Sequence, residues 1–290
     1  MKNFNVSVII PVYNARPYLK KAVESAHALQ EVWEIILIED NSPDNSYELC
    51  LELAKQYKKI RLYTHFNREN RGPGESRNLG IEKSTQEYIA FLDADDWYLP
   101  NRFERSKEIF ESDDSVDGVY EATGFYNEAT MSLDTKRLTT VKDDSIAAED
   151  LLFNLLLSNK GRFTTDAITL KKSILQKSSL FDTSLRLHQD THLWLKLAHV
   201  GKLVPGKLKQ PVAIRRQHAL NRIQHSNKTS RKLLCIKSFE WFEKQNQVDP
   251  RAYRIVFNRY VGSLKSSILT RIIFTIVYLA MHPQSIKKFI

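Results

Sequence analysis

Along most of the chain, short apolar runs alternate with stretches in which apolar residues recur every three or four positions, so strands and helices are expected in turn. V-S-V-I-I at 6–10 predicts a buried strand ended by Pro11 and Asn14, followed by an amphipathic helix over 16–29. E-I-I-L-I-E at 34–39 predicts a second strand that closes on the polar turn 40–44, then a helix over 46–57 and a third strand at 60–64. A polar loop at 66–78 runs into a helix over 75–84, and a fourth apolar run, 89–92, predicts another core strand. Beyond it come a helix over 101–112, an edge ribbon of strands within 116–133, a helix over 149–157 and a strand in T-D-A-I-T-L at 165–170 that leads into a helix start. In L-H-Q-D-T-H-L-W-L-K-L-A, at 187–198, Leu193, Trp194, Leu197 and Ala198 share one helical face and should pack inward. A strand and a basic loop occupy 210–223, and helix is expected from 229 onward.

Strands joined by helices build right-handed βαβ units. The expected class is therefore α/β: a doubly wound, mostly parallel twisted sheet with helices on both faces, plus a helical C-terminal appendage. Ligands on such sheets bind outside the carboxyl ends of the strands. Tyr13, Asp40 and Asp93 all fall there.

The densest chemistry follows the fourth run, where Y-I-A-F-L-D-A-D-D-W-Y-L-P sets Asp93, Asp95 and Asp96 at the mouth of a core strand. Carboxylates this close raise one another's pKa unless a cation or hydrogen-bond donors lie near. An Asp-x-Asp pair offers hard oxygen ligands suited to Mg²⁺ or Mn²⁺, with positions left for a diphosphate. The plainer alternative is an acidic turn that caps the next helix, with Pro100 in its first turn. Gly72 and Gly74 would let backbone amides approach a phosphate, and Arg77 would grip a diphosphate or pair with a carboxylate. A flexible connector is the alternative there. Asp190 falls at a helix start, either as an N-cap or as a general base at a pocket rim. His188 and His192 flank it as metal ligands or as structural residues. Arg216, His218, Asn221 and Arg222 either close over a phosphate or form a solvated loop.

Composition narrows the setting. At 290 residues, 42% hydrophobic and 27% charged, the chain suits one large α/β domain with an appendage. Cys50 and Cys235 have no metal or redox spacing, and the N-terminus lacks the apolar core of a secretory signal, so a cytoplasmic location is expected. Residues 201–290 carry 18 Lys or Arg against 3 Asp or Glu, whereas residues 1–200 carry 25 against 31. That basic third can face an anionic membrane or an acidic acceptor. No nucleic-acid-binding motif accompanies it, so no nucleic-acid partner is expected. The apolar decapeptide from Ile272, interrupted only by Thr275, is too short to span a bilayer. It suits an interfacial helix or one packed on the catalytic domain, both readings being open.

V-S-V-I-I-P-V-Y-N, I-L-I-E-D-N-S-P-D, R-G-P-G-E-S-R-N-L-G, Y-I-A-F-L-D-A-D-D-W and H-Q-D-T-H-L-W-L together resemble glycosyltransferase family 2, with its GT-A fold, over residues 5–225. The basic, helical extension at 226–290 lies beyond the motifs and rests on its charge; the resemblance implies a GT-A domain at 1–225. It implies inverting transfer of a sugar from a nucleotide donor, UDP-linked, to a saccharide or lipid-linked acceptor, in bacterial surface polysaccharide synthesis and at the inner face of the membrane. Pro11, Tyr13, Asn14, Asp40, Arg77 and Asp93 would contact the nucleotide, with Asp40 accepting from the uracil imide. Asp95 would be the principal ligand of Mn²⁺ or Mg²⁺, helped by Asp93 and His218, and Asp190 the catalytic base. The family usually carries Glu before that base, where this chain has Gln189. Two rivals stand beside this reading. A nucleotidyltransferase would want a glycine-rich basic loop after the first strand, which P-V-Y-N-A-R does not supply. A non-catalytic nucleotide-sugar binder would have Gln189 as its sign of lost chemistry.

Overall fold

The computed structural model describes residues 4–158, 160–218, 227–264 and 267–289. Strand β1 (Val6–Val12), helix α1 (Arg16–His27), β2 (Val32–Glu39), α2 (Ser46–Gln56), β3 (Ile60–Thr64), α3 (Pro73–Lys83) and β4 (Tyr88–Phe91) follow the expected alternation. Next come β5 (Trp97–Tyr98), α4 (Glu104–Ser112), β6 (Gly118–Tyr120), β7 (Ala122–Asn127), β8 (Ser132–Thr139) and α5 (Ala148–Leu157). They are followed by β9 (Ile168–Lys171), α6 (Lys172–Lys177), α7 (Gln189–Val200), β10 (Leu203–Pro205) and β11 (Pro211–Gln217). Four helices close the chain: α8 (Lys228–Glu243), α9 (Pro250–Leu264), α10 (Ile268–Met281) and α11 (Pro283–Ile286).

Seven strands form one sheet in the order β10-β6-β9-β4-β1-β2-β3, parallel except for β9, which runs antiparallel to β4 and β6. Alternate residues of its central strands enter two separate cores. Ile9, Ile36 and Ile38 join one, and Val8, Ile10 and Leu37 the other. Burial on both faces explains why these strands read as unbroken apolar runs. A second, four-stranded sheet, β5-β11-β7-β8, lies beside the carboxyl end of β4.

Three expectations change. First, β1 does not stop at Pro11: Pro11 pairs with Ile38 and Val12 with Glu39. Ile9 accepts from the Leu92 amide on the β4 side, and Pro11, two residues on, faces that same side after β4 has ended. The missing N–H of proline therefore leaves no partner unpaired. Second, 116–133 is not all edge ribbon. β6 is a fully buried strand of the main sheet, and only β7 and β8 form the ribbon. Third, T-D-A-I-T-L is half strand: Thr165–Ala167 makes a 3₁₀ turn before β9. Buried Arg102 holds that turn, donating to the carbonyls of Asp166 and Ile168 and pairing with Glu121 at 3.1 Å. These donor bonds make a buried arginine tolerable.

The C-terminal helices are part of the body of the molecule. Phe239 and Phe242 of α8 and Tyr253, Val256 and Phe257 of α9 enter the same core as Ile9 and Leu193. The expected boundary at 225/226 lies outside the described residues, as do Asn221 and Arg222.

Candidate active site

The loops that follow β1, β2 and β4 leave the sheet at one edge, and the start of α7 and the end of β11 close over them. Pro11, Tyr13, Asn14, Asp40, Arg77, Asp93, Asp95, Asp190 and His218 all line one cleft there, of about 310 Å³. The nucleotide, metal and base residues implied by the resemblance are thus in one place, whereas Gly72, Gly74 and His192 do not line it. A wider hollow of about 1220 Å³ lies at the far end of α7, beside the α8–α9 connection, and contains none of them.

On the nucleotide side, Asp40 is almost fully buried, and its carboxylate accepts from the amides of Arg71 at 2.7 Å and Gly72 at 2.8 Å. These amides face Asp40, so they do not form the phosphate cradle expected of the glycine loop. Gly72 is needed for its backbone, with φ at 86°, a region side chains avoid. Gly74 lies under the Gln189 side chain, whose Oε1 would lie 2.3 Å from a Cβ there and would have to move aside. Both glycines therefore serve to fold the loop against Asp40 and α7. Asp40 keeps lone pairs for a further donor, because each carboxylate oxygen accepts two bonds. Tyr13 stands partly exposed at the mouth, and Asn14 adopts a left-handed turn, its amide donating to Ser42 Oγ.

The acidic stretch is compensated by the protein itself. Arg77, buried against the ring of Phe181, donates to Asp93 at 2.6 Å. Asp96 accepts from the Arg216 amide at 2.7 Å and has Arg215 at 4.0 Å, while Asp95 meets Nε2 of His218 at 2.9 Å. Arg216 is held by the rings of Tyr18, Trp97 and Tyr126. A fourth carboxylate, Asp166, comes in from the 3₁₀ turn and accepts from the Asp93 amide at 2.9 Å. Burial, then the neighbouring Asp93, pushes its pKa up to about 6, and burial with Asp166 and Asp95 raises Asp96 well above the ordinary range. Burial opposes the charge of Arg215, but Asp96, Asp166 and Asp93 outweigh it and raise its pKa.

The residues fit a divalent cation. Asp93, Asp96 and Asp166 each bring an oxygen within 4.8 Å of the others, and Oδ2 of Asp166 is buried without a hydrogen-bond partner among the described residues. Converging hard oxygens with spare lone pairs suit Mg²⁺ or Mn²⁺, and His218 beside Asp95 adds a nitrogen donor that manganese accepts. Asp95 faces His218, outside the cluster of three carboxylates. Sequence reasoning does not single out Asp166 or Arg215. An acid opening a core strand, and a tandem arginine ending another, were the signals.

Asp190 lies in the first turn of α7 and is not its N-cap: that position is His188, with φ at 64° and no side-chain cap bond. The Asp190 carboxylate accepts from the Thr191 amide at 2.7 Å and lines the cleft. Gln189, by contrast, is buried, and its Oε1 has no partner among the described residues. His192 is a core residue whose ring nitrogens have no partner among the described residues, and burial pushes its pKa down to about 4. His188 reaches Ser230 of α8 at 3.4 Å, tying the C-terminal helices to the start of α7.

The matching region of the chain is long. Residues 7–176 fit the model described as Glycosyl transferase family 2. The chain belongs to that family. An uncharacterized glycosyltransferase of Rickettsia bellii is 28% identical over 242 residues, 82% of this chain and 33% of its own length. The chain thus spans about a third of that relative. Crystals of Staphylococcus aureus TarS 1-349 in complex with UDP-GlcNAc superpose with a TM-score of 0.65 at 13% identity, covering 90% of this chain and 71% of that one. The mannosyltransferase PcManGT from Pyrobaculum calidifontis, in complex with GDP-Man and Mn²⁺, gives 0.58 at 15% identity, covering 98% and 83%. At such identities the likeness bears on fold, and the fold is the GT-A arrangement the motifs implied. No described helix is long and apolar enough to cross a membrane.

Proposed function

We propose that this chain transfers a sugar, with inversion, from a UDP-linked donor to a hydroxyl of a saccharide or lipid-linked acceptor, in the assembly of a bacterial surface polysaccharide. One observation carries the reading: Asp40 and Arg77, the Asp93–Asp96 stretch, Asp190 and His218 all open into a single cleft at the carboxyl ends of the strands. The TarS complex with UDP-GlcNAc supports a uridine donor, while the PcManGT complex with GDP-Man keeps guanosine as the competitor to test.

Tyr13, Asn14 and Asp40 would receive the base and ribose, and Arg77 would lie beside the diphosphate. Asp93, with Asp95 and His218 on one side or Asp96 and Asp166 on the other, would hold Mn²⁺ or Mg²⁺, which when bound neutralises charge on a departing diphosphate. Asp190 would take the proton of the acceptor hydroxyl while that oxygen attacks the anomeric carbon. The carbon–oxygen bond to the diphosphate breaks as the new glycosidic bond forms, and the nucleoside diphosphate leaves with both electrons. Buried Gln189 would keep α7 seated on Gly74, so that Asp190 stays aimed into the cleft.

A panel of nucleotide sugars tests this, with nucleoside diphosphate release measured in Mn²⁺, in Mg²⁺ and in chelator. Metal-dependent UDP release from one or a few donors is expected. Tight UDP binding with no release from any donor, with or without saccharide and lipid-linked acceptors, would favour the non-catalytic binder.

A further inference from the structure

Helix α10 reverses the usual arrangement of a surface helix. Its inner side is fixed: Phe274 and Tyr278 stack on each other, Phe274 meets Tyr260 of α9, and Tyr278 meets Phe239 of α8 and Phe257 of α9. With the rotation set by those rings, the outer side presents Ile268, Leu269, Ile272, Ile273, Ile276 and Val277, each at least half exposed. A helix at a protein surface ordinarily turns its apolar stripe inward and its polar stripe to water. Here aliphatic residues occupy the outer stripe, and no Lys, Arg, Asp or Glu occurs from Ile272 to Ile286. Contiguous apolar surface of this kind marks a protein or membrane contact.

Charge decides between those occupants. From Pro250 to Ile290 the chain carries seven Lys or Arg and no Asp or Glu. A second copy docked on the same face would bring two such cationic segments together, whereas an anionic lipid surface complements them. Length decides the mode: fourteen residues make a helix about 21 Å long at 1.5 Å per residue, short of the roughly 30 Å hydrocarbon core. The helix must therefore lie along the surface.

We propose that α10 is an interfacial membrane-docking helix, seating its aliphatic face in the headgroup–acyl boundary of an anionic phospholipid bilayer. Arg271 within the helix and Lys287 just beyond α11 supply the attraction to the headgroups. Because α8 and α9 belong to the main core and α8 touches the start of α7, the bilayer would hold the cleft in a fixed orientation. The inference does not rest on sugar transfer and is tested without donor or acceptor.

The test is flotation of the full chain with vesicles of phosphatidylcholine alone or phosphatidylcholine with phosphatidylglycerol. The expected result is flotation with the anionic vesicles, weakened by salt, and at least tenfold less with neutral ones. Ile272→Asp/Ile276→Asp, both at exposed positions, should keep its circular dichroism and UDP affinity and lose flotation. Ile273→Trp should show a blue-shifted emission on adding anionic vesicles. Absence of flotation, equal binding to neutral vesicles, an unshifted tryptophan, or flotation retained by the double variant would each overturn the proposal. So would a concentration-dependent dimer abolished by the double variant, which would give the face to a second copy.

Discussion

In the cleft floor Asp96 is 4% exposed and Asp166 1%, whereas on α10 Ile268 is 75% and Ile276 63% exposed. Charge is drawn inside at one place and hydrocarbon is left outside at the other. Both cost folding free energy, and neither is needed to close the core. The cleft acids are nevertheless supplied with partners from four directions: Arg77, the Arg216 amide, Arg215 and His218. The α10 face has no such compensation within the described chain. The contrast teaches that the cleft charges are compensated within the chain, whereas the apolar face of α10 is left exposed by the described residues, which is the face the proposed membrane contact would cover.

The largest effect should separate the two regions by readout. Asp190→Asn keeps an acceptor for the Thr191 amide but removes the base, so UDP release to acceptor should fall by roughly 10² to 10⁴, with UDP affinity unchanged. Ile272→Asp on α10 should leave UDP release from the donor, measured with a soluble acceptor, at the wild-type level. If Asp190→Asn turned over like wild type while folded, the catalytic side of the contrast would fail.

How much of this was legible beforehand differs between the regions for a physical reason. β1 to β4 and their helices were readable because burial on both sheet faces writes unbroken apolar runs. The cleft residues named from the sequence converge because strand ends converge. Asp166 was passed over because it lies within an apolar stretch, T-D-A-I-T-L, that reads as strand, and its role depends on a turn held by Arg102 from 64 residues away. A carboxylate partner for Arg77 is among the sequence readings and the structure supplies Asp93, whereas the approach of Arg215 to Asp96 is invisible because the two are far apart in sequence. For α10 the sequence showed the apolar run but not its rotation. That awaited the placement of Phe274 and Tyr278.

A smaller effect would sharpen the cost of charge in the cleft floor. Asp166 has a folded pKa of about 6 against roughly 3.9 in an unfolded chain. The native state therefore keeps a proton that the unfolded chain releases, so stability from this group is lost as pH rises from about 4 through 6. Over that interval wild type should lose up to about 3 kcal/mol relative to Asp166→Asn, whose amide still accepts from the Asp93 backbone. Urea unfolding in chelator across the range measures it. Parallel stability profiles would mean that Asp166 is ionised as easily as a surface carboxylate, and the floor would lose its likeness to a strained site.

The smallest expected effect concerns His218, whose ring lies at 2.9 Å from Asp95 and stacks near Tyr18 at 5.1 Å. Two roles compete for it. As a nitrogen donor or as the group that orients Asp95, its loss should weaken manganese affinity by about 10- to 100-fold, the usual cost of removing a group that supports a metal ligand. As a mere ion-pair partner of Asp95, its loss should free that carboxylate and leave manganese affinity unchanged or tighter. Titrating His218→Ala with Mn²⁺ by calorimetry, in the presence of UDP, distinguishes the two by the sign of the change. Repeating the titration with Mg²⁺ adds a check, because imidazole favours manganese over the harder ion, so the deficit should shrink if nitrogen ligation is the cause.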